Sequence, residues 1–123
     1  VVNSVPLYEA KAELFRLLGH PVRIRVLELL QNEPMPVRDL LAAIEVEATG
    51  LSQHLAVLRR SGMVSAHRDG STVVYSLSGG DVAELLRAAR QLLTHKLAGQ
   101  HELLDELLKA QAGSATGSGA GAL

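Results

Sequence analysis

The chain has 123 residues, with 12 Lys and Arg against 13 Asp and Glu and a formal net charge of −1. That length suits one domain around one core and leaves little room for a deep enzyme cleft. It has no cysteine, no Trp, one Phe and two Tyr, which excludes disulfides, thiolate metal sites and thiol redox sensing. So few aromatics also argue against the stacking platforms of single-stranded nucleic-acid binders. No apolar run reaches the length of a membrane span, and Val1-Val2-Asn3-Ser4 has no signal-peptide pattern, so a cytoplasmic protein is expected.

Apolar spacing predicts a first helix over Leu7 to Leu18, with Leu7, Leu14, Phe15 and Leu18 on one face. Gly19-His20-Pro21 ends it: Gly suits a helix end and Pro the first turn of the next helix. A second helix follows over Val22 to Gln31, with Val22, Val26, Leu29 and Leu30 inward. Pro34-Met35-Pro36 reads as a rigid connector, and Val37 to Ile44 as a short third helix burying Val37, Leu40, Leu41 and Ile44. Glu45 to Ala48 is a turn. Thr49 is then the expected N-cap of a fourth helix.

In that fourth helix Leu51, Leu55 and Leu58 share one face, and Thr49, Ser52, Gln53, Ala56 and Arg60 the other, with Arg59 at the margin. Ser61-Gly62 closes it. Met63 to Arg68 and Thr72 to Leu77 alternate as strands, and Asp69-Gly70 between them is a two-residue hairpin signal. A last helix starts at Gly79-Gly80-Asp81. Val82, Leu85, Leu86, Ala89, Leu92, Leu93 and Leu97 form one stripe on it, and Leu103, Leu104, Leu107 and Leu108 continue in phase. The phase survives Gly99, which favours one long helix; whether that glycine bends it stays open.

The expected organisation is an N-terminal extension at 1–6, a folded domain at 7–111, and a disordered Gly/Ser/Ala-rich tail at 112–123. The fold class is mainly α with a small β-hairpin. Its order of helix, turn, polar-faced helix and basic-tipped hairpin is that of a winged helix-turn-helix, and it points to double-stranded DNA. From Ser52 to Ser76 the charges are Arg59, Arg60 and Arg68 against Asp69 alone, so a locally basic segment sits within a neutral chain.

Ser52 and Gln53 are the candidates for base-edge contact, because Gln can pair bidentately with adenine and Ser can donate or accept. Thr49, Arg59, Arg60 and Arg68 are candidates for the DNA backbone, with Arg38 at the start of the third helix as a further one. His54 lies about 60° from Leu51 and about 160° from Ala56 around the helix, at the edge of the buried face, so a packing or hydrogen-bonding role is expected rather than DNA contact. The leucine stripe on the last helix calls for a partner surface. No nucleophile–base pair, phosphate loop or metal motif is present, so no enzyme and no cofactor is expected.

Three stretches resemble the ArsR/SmtB family of bacterial winged-helix repressors over Leu7 to Leu97. They are Leu17-Leu18-Gly19-His20-Pro21-Val22-Arg23-Ile24-Arg25-Val26-Leu27, then Leu51-Ser52-Gln53-His54-Leu55 with Leu58-Arg59 and Gly62-Met63-Val64, then Arg68-Asp69-Gly70 with Val74-Tyr75. The chain looks most like the actinobacterial branch that lacks metal-binding cysteines. The resemblance implies a homodimer formed by the first and last helices, with Leu7, Leu14, Leu85, Leu86, Leu92, Leu93 and Leu97 in the seam. It also implies repression from a palindromic promoter operator, relieved by an effector. Gly50 stands where relatives often carry a polar side chain. Of the family's two metal sites, the cysteine site is absent from Pro36-Val37-Arg38-Asp39-Leu40. In the last-helix site only Asp81 and His95 match, and the other ligands fall on Gly79 and Leu92. Two alternatives follow: a metal-responsive sensor using Asp81 and His95 from both chains, and a winged-helix protein-interaction module.

Overall fold

A computed structural model describes residues 5–116, with side chains as far as residue 112. The chain divides after Leu85 into two units. The first holds α1 (Leu7–Leu18), α2 (Pro21–Asn32), β1 (Met35–Pro36), α3 (Val37–Ala43), α4 (Ala48–Arg60), β2 (Val64–Asp69), β3 (Thr72–Leu77) and the opening of α5 (Gly80–Thr116). The second is the rest of α5 as far as it is described, continuous through Gly99. Residues 1–4 of the expected extension at 1–6 and 117–123 of the expected tail at 112–123 lie outside the described residues. Ala112 to Thr116, expected in a disordered tail, extend α5 instead. Lys109-Ala110-Gln111-Ala112 has high helix propensity, and lengthening an existing helix avoids the nucleation cost.

The core of the first unit is aliphatic. Leu18, Val26, Leu27, Leu30, Leu40, Ile44, Leu51, Leu55, Leu58, Val64 and Val82 are buried, and no buried side-chain polar atom among the described residues lacks a hydrogen-bond partner. Leu27, absent from the expected core face of α2, is fully buried because α2 packs against both α4 and β3. The expected inward face of α1 is corrected. Only Leu18 is buried and Leu14 half-buried, while Leu7 and Phe15 are exposed, because most of that stripe meets no other element of the unit.

Met35–Pro36 is a short strand, not merely a connector. Met35 pairs with Tyr75 and Pro36 with Val74, giving an antiparallel sheet of order β1-β3-β2. Two residues carry no readable periodicity, and their partner lies far along the chain. Pro36, without an N–H, is tolerated because β1 is an edge.

Two local signals also read differently in three dimensions. Asp69 pairs with Thr72, so the two turn residues are Gly70 and Ser71 rather than Asp69 and Gly70. Gly70 has φ +66° and no other residue of the turn has positive φ, the pattern of a type II′ hairpin with glycine first. Thr49 is not the N-cap of α4. Glu47 holds that position with extended backbone and no side-chain cap, and its carbonyl accepts from Leu51 N at 2.9 Å. Thr49 is already helical and cannot adopt the extended geometry of a cap.

The other end of α4 is closed firmly. Gly62 has φ +82°, Met63 N donates to Leu58 O at 3.0 Å and Gly62 N to Arg59 O at 3.1 Å, which is a Schellman motif. It directs the chain from α4 straight into β2. For the hairpin, Gly70→Ala should lower stability by about 1 kcal/mol, measured by urea unfolding. A Cβ at Gly70 meets nothing within 4 Å, so the loss would report backbone strain rather than a clash.

Candidate nucleic-acid interface

Helix α4 buries Leu51, Leu55 and Leu58 and leaves Thr49, Ser52, Gln53, Ala56, Arg59 and Arg60 exposed. Anchoring one face presents the other, because residues on opposite sides of a helix cannot both turn inward. Each fully buried leucine contributes about 1.5–3 kcal/mol, so the orientation of the polar face is strongly held. Arg59 and Arg60 also lie in the last turn, where cations are favoured by the unpaired carbonyls.

Beside this face the hairpin stands as a wing. Alternation along β2 and β3, with Ala66 opposite Tyr75 and Arg68 opposite Val73, puts Ala66, Arg68, Val73 and Tyr75 on one sheet face. Tyr75 joins Ser52, Ala56, Arg59 and Arg60 around an open depression of about 480 Å³. Arg68 is thus on the sheet face that Tyr75 turns toward the exposed side of α4. On the other sheet face the Ser65 and Ser76 hydroxyls meet at 3.0 Å, a cross-strand bond that helps fix the register. Among the described residues no carboxylate pairs with Arg59, Arg60 or Arg68. Arg38 is exposed but lies 3.9 Å from Asp39, which offsets part of its charge.

Sequence reasoning did not single out Tyr75 for this surface. The period-2 pattern of Val73, Tyr75 and Leu77 groups it with its strand neighbours, but only the packing of the sheet against α4 shows which face meets that helix. Also missed was the cluster behind the reading face. The Nε of Arg23 in α2 donates to Nδ1 of His54 at 3.0 Å, and its Nη1 donates to the carbonyl of Leu17 at 3.0 Å. His20, the N-cap of α2, accepts from Val22 N through Nδ1 at 3.2 Å, and its ring centroid is 4.1 Å from that of His54. His54 therefore has the intramolecular role its helical position suggested. Burial first, then the neighbouring His20 and Arg23, push its pKa below the ordinary 6.5.

Asp81 is exposed in the first turn of α5, and His95 is exposed in the second unit. Among the described residues no group of three or more His, Cys, Asp or Glu could hold a metal ion. No described helix is long and apolar enough to cross a membrane.

A short helix, a turn, a longer helix with an exposed polar face, and an adjoining hairpin define a winged helix-turn-helix protein. A helix-turn-helix domain model matches residues 18–65. The chain is 46% identical over 107 residues to the HTH-type transcriptional regulator Rv0081 of Mycobacterium tuberculosis, covering 86% of this chain and 94% of that one. The crystal structure of Rv0081 superposes with a TM-score of 0.74 at 48% identity, over 79% of this chain and 98% of that one. The transcriptional repressor BigR from Xylella fastidiosa gives a TM-score of 0.65 at 32% identity, over 69% and 87%. The HTH-type transcriptional repressor SmtB of M. tuberculosis is 34% identical over 80 residues, covering 65% of this chain and 59% of that one. The chain belongs to the ArsR/SmtB family of winged helix-turn-helix transcriptional regulators.

The His54 environment has a consequence for stability. A base held below its unfolded pKa binds fewer protons when folded, so stability rises with pH across that window. The urea midpoint should hold steady in mildly alkaline buffer and decline as pH falls through 6.5, the ordinary histidine value. An NMR titration should place the His54 midpoint below that of a free imidazole.

Proposed function

We propose that this regulator is a homodimeric, sequence-specific repressor that binds a palindromic promoter operator in the cytoplasm and performs no catalysis. The observation that carries the reading is α4 itself: a leucine face locked into the core and an opposite face of Thr49, Ser52, Gln53, Ala56, Arg59 and Arg60 left open. In the major groove Ser52 and Gln53 would meet base edges. Thr49, Arg59 and Arg60 would hold backbone phosphates at the groove margin, and Arg68 would reach the backbone or adjacent minor groove from the wing. Arg38, compromised by Asp39, would add a weaker backbone contact. The repressor names of SmtB and BigR support the direction of control.

A second copy is part of the reading. Leu7, Leu92, Leu93 and Leu97 are each more than half exposed, and Leu14, Leu85 and Leu86 are half-buried. Pairing of first and last helices between two copies would remove this apolar surface from water and set two reading helices against two half-sites. Leu93→Glu should convert the dimer to a monomer by light scattering on a sizing column, with the first unit still folded by circular dichroism.

The test of DNA reading uses a duplex from the protein's own upstream region and a shuffled duplex, compared at several salt concentrations. The expected result is preference for the native duplex with steep salt dependence from released counterions. Gln53→Ala should cost about 1–3 kcal/mol on the native duplex and relax specificity, whereas Arg68→Ala should weaken both duplexes nearly alike. Unchanged affinities after Gln53→Ala would remove α4's polar face from the interface.

A further inference from the structure

The side chains behind α4 form a tie among three helices. Arg23 projects from the first turns of α2, and one guanidinium nitrogen reaches the Leu17 carbonyl near the end of α1 while another reaches the His54 ring on α4. His20 packs its ring on that of His54 from the α1–α2 junction. His54 adjoins Gln53 in sequence, so any movement of the ring's anchor turns or shifts the helix that carries the exposed face. The contact has a chemical condition. Arginine only donates, so Nδ1 of His54 must be an unprotonated acceptor. The imidazolium form has a proton on both nitrogens and no acceptor left, and it would place a second positive charge against the Arg23 guanidinium. His20 in turn uses its own Nδ1 as the acceptor for Val22 N.

We propose that Arg23 and His54 are positioning residues for DNA recognition: they set the pose of the reading helix without touching DNA, and the tie holds only while His54 is neutral. This rests on α4 being the reading helix. The groups that face His54 are Arg23 from α2 and His20 from the α1–α2 junction, and both oppose a second proton. The charges on its own helix, Arg59 and Arg60, are on the exposed side and offer no compensation. Acid therefore releases the tie, and the regulator loses discrimination between operator and other DNA. A non-specific electrostatic change in DNA affinity with pH acts on both duplexes alike. The informative quantity is thus the ratio of native to shuffled duplex affinity, not either affinity alone.

That ratio should be measured from mildly alkaline to mildly acidic pH for the wild type, His54→Asn, Arg23→Met and Arg23→Lys, with helicity followed in the same buffers. The Asn carbonyl oxygen can stand where Nδ1 stands and accepts a hydrogen bond at every pH. Wild type should lose roughly tenfold in the ratio on acidification, the order expected for one hydrogen bond to a charged donor. His54→Asn should keep the wild-type alkaline ratio and show no decline. Arg23→Met should show the reduced ratio throughout with a flat pH profile, while its helicity stays at the wild-type level. Arg23→Lys, which keeps a charge and a donor, should recover part of the ratio.

A pH decline in His54→Asn equal to the wild type's would overturn the proposal, as would an undiminished ratio in Arg23→Met. If Arg23→Met does not fold, the comparison of His54→Asn with wild type decides alone. Failure of the underlying reading looks different. Wild type would then show no preference for the native duplex even in alkaline buffer, and the interface on α4 and the tie behind it would fall together.

Discussion

The fold turns on the burial of three leucines. Leu51, Leu55 and Leu58 are at most 1% exposed, and they join α4 to the aliphatic core built by α2, α3 and the base of the sheet. Because the helix is anchored along its length, its far side is held outward with little rotational freedom. A polar helix face that could roll would present different atoms to a groove at different moments. Here the roll is constrained by apolar packing on one side and by the Schellman closure into β2 at the end.

That closure also places the wing. Gly62 turns the chain just past Ser61, the C-cap of α4, so the hairpin begins beside the last turn of that helix rather than across the unit. The pairing of Met35 and Pro36 with β3 then ties the sheet's central strand to the residues that open α3. The helix-turn-helix and the wing are therefore parts of one framework. The basic side chains follow from this arrangement: Arg59 and Arg60 at one end of the exposed face, and Arg68 on the adjoining sheet face. A chain with net charge −1 can in this way hold an unpaired basic strip, because association with DNA responds to the local field and not to the sum.

Among the described residues the core contains no buried polar side chain. Polar contacts instead occur at the seams between elements, as in Ser65–Ser76 across the hairpin and Arg23–His54 between helices. Seam contacts of this kind add little to total stability but fix relative placement, since a hydrogen bond fails over a few tenths of an ångström whereas apolar packing tolerates small slides. BigR shares this architecture at about a third identity, as expected of a core that accepts many aliphatic combinations.

Much of this was legible in the residues. The helices, the two long strands, the leucine face of α4 and its polar opposite all follow from local periodicity, which depends only on near neighbours in the chain. The same is true of the position of His54 at the edge of the buried face. What the sequence could not reveal involved partners far apart or competition between local options. The Met35–Pro36 strand exists only because β3 lies alongside it, and Arg23 meets His54 only after α2 packs on α4. Gly70 and Ser71 form the hairpin turn because the strand register was decided by burial, which overrode the Asp69-Gly70 signal. Leu27 is interior because α2 is covered on more than one side. The sequence by itself thus determined which segments are helix or strand and which side of each is apolar. Only the tertiary structure decided which elements meet, what fills the seams between them, and which sheet face joins α4, because those depend on contacts that no local pattern encodes.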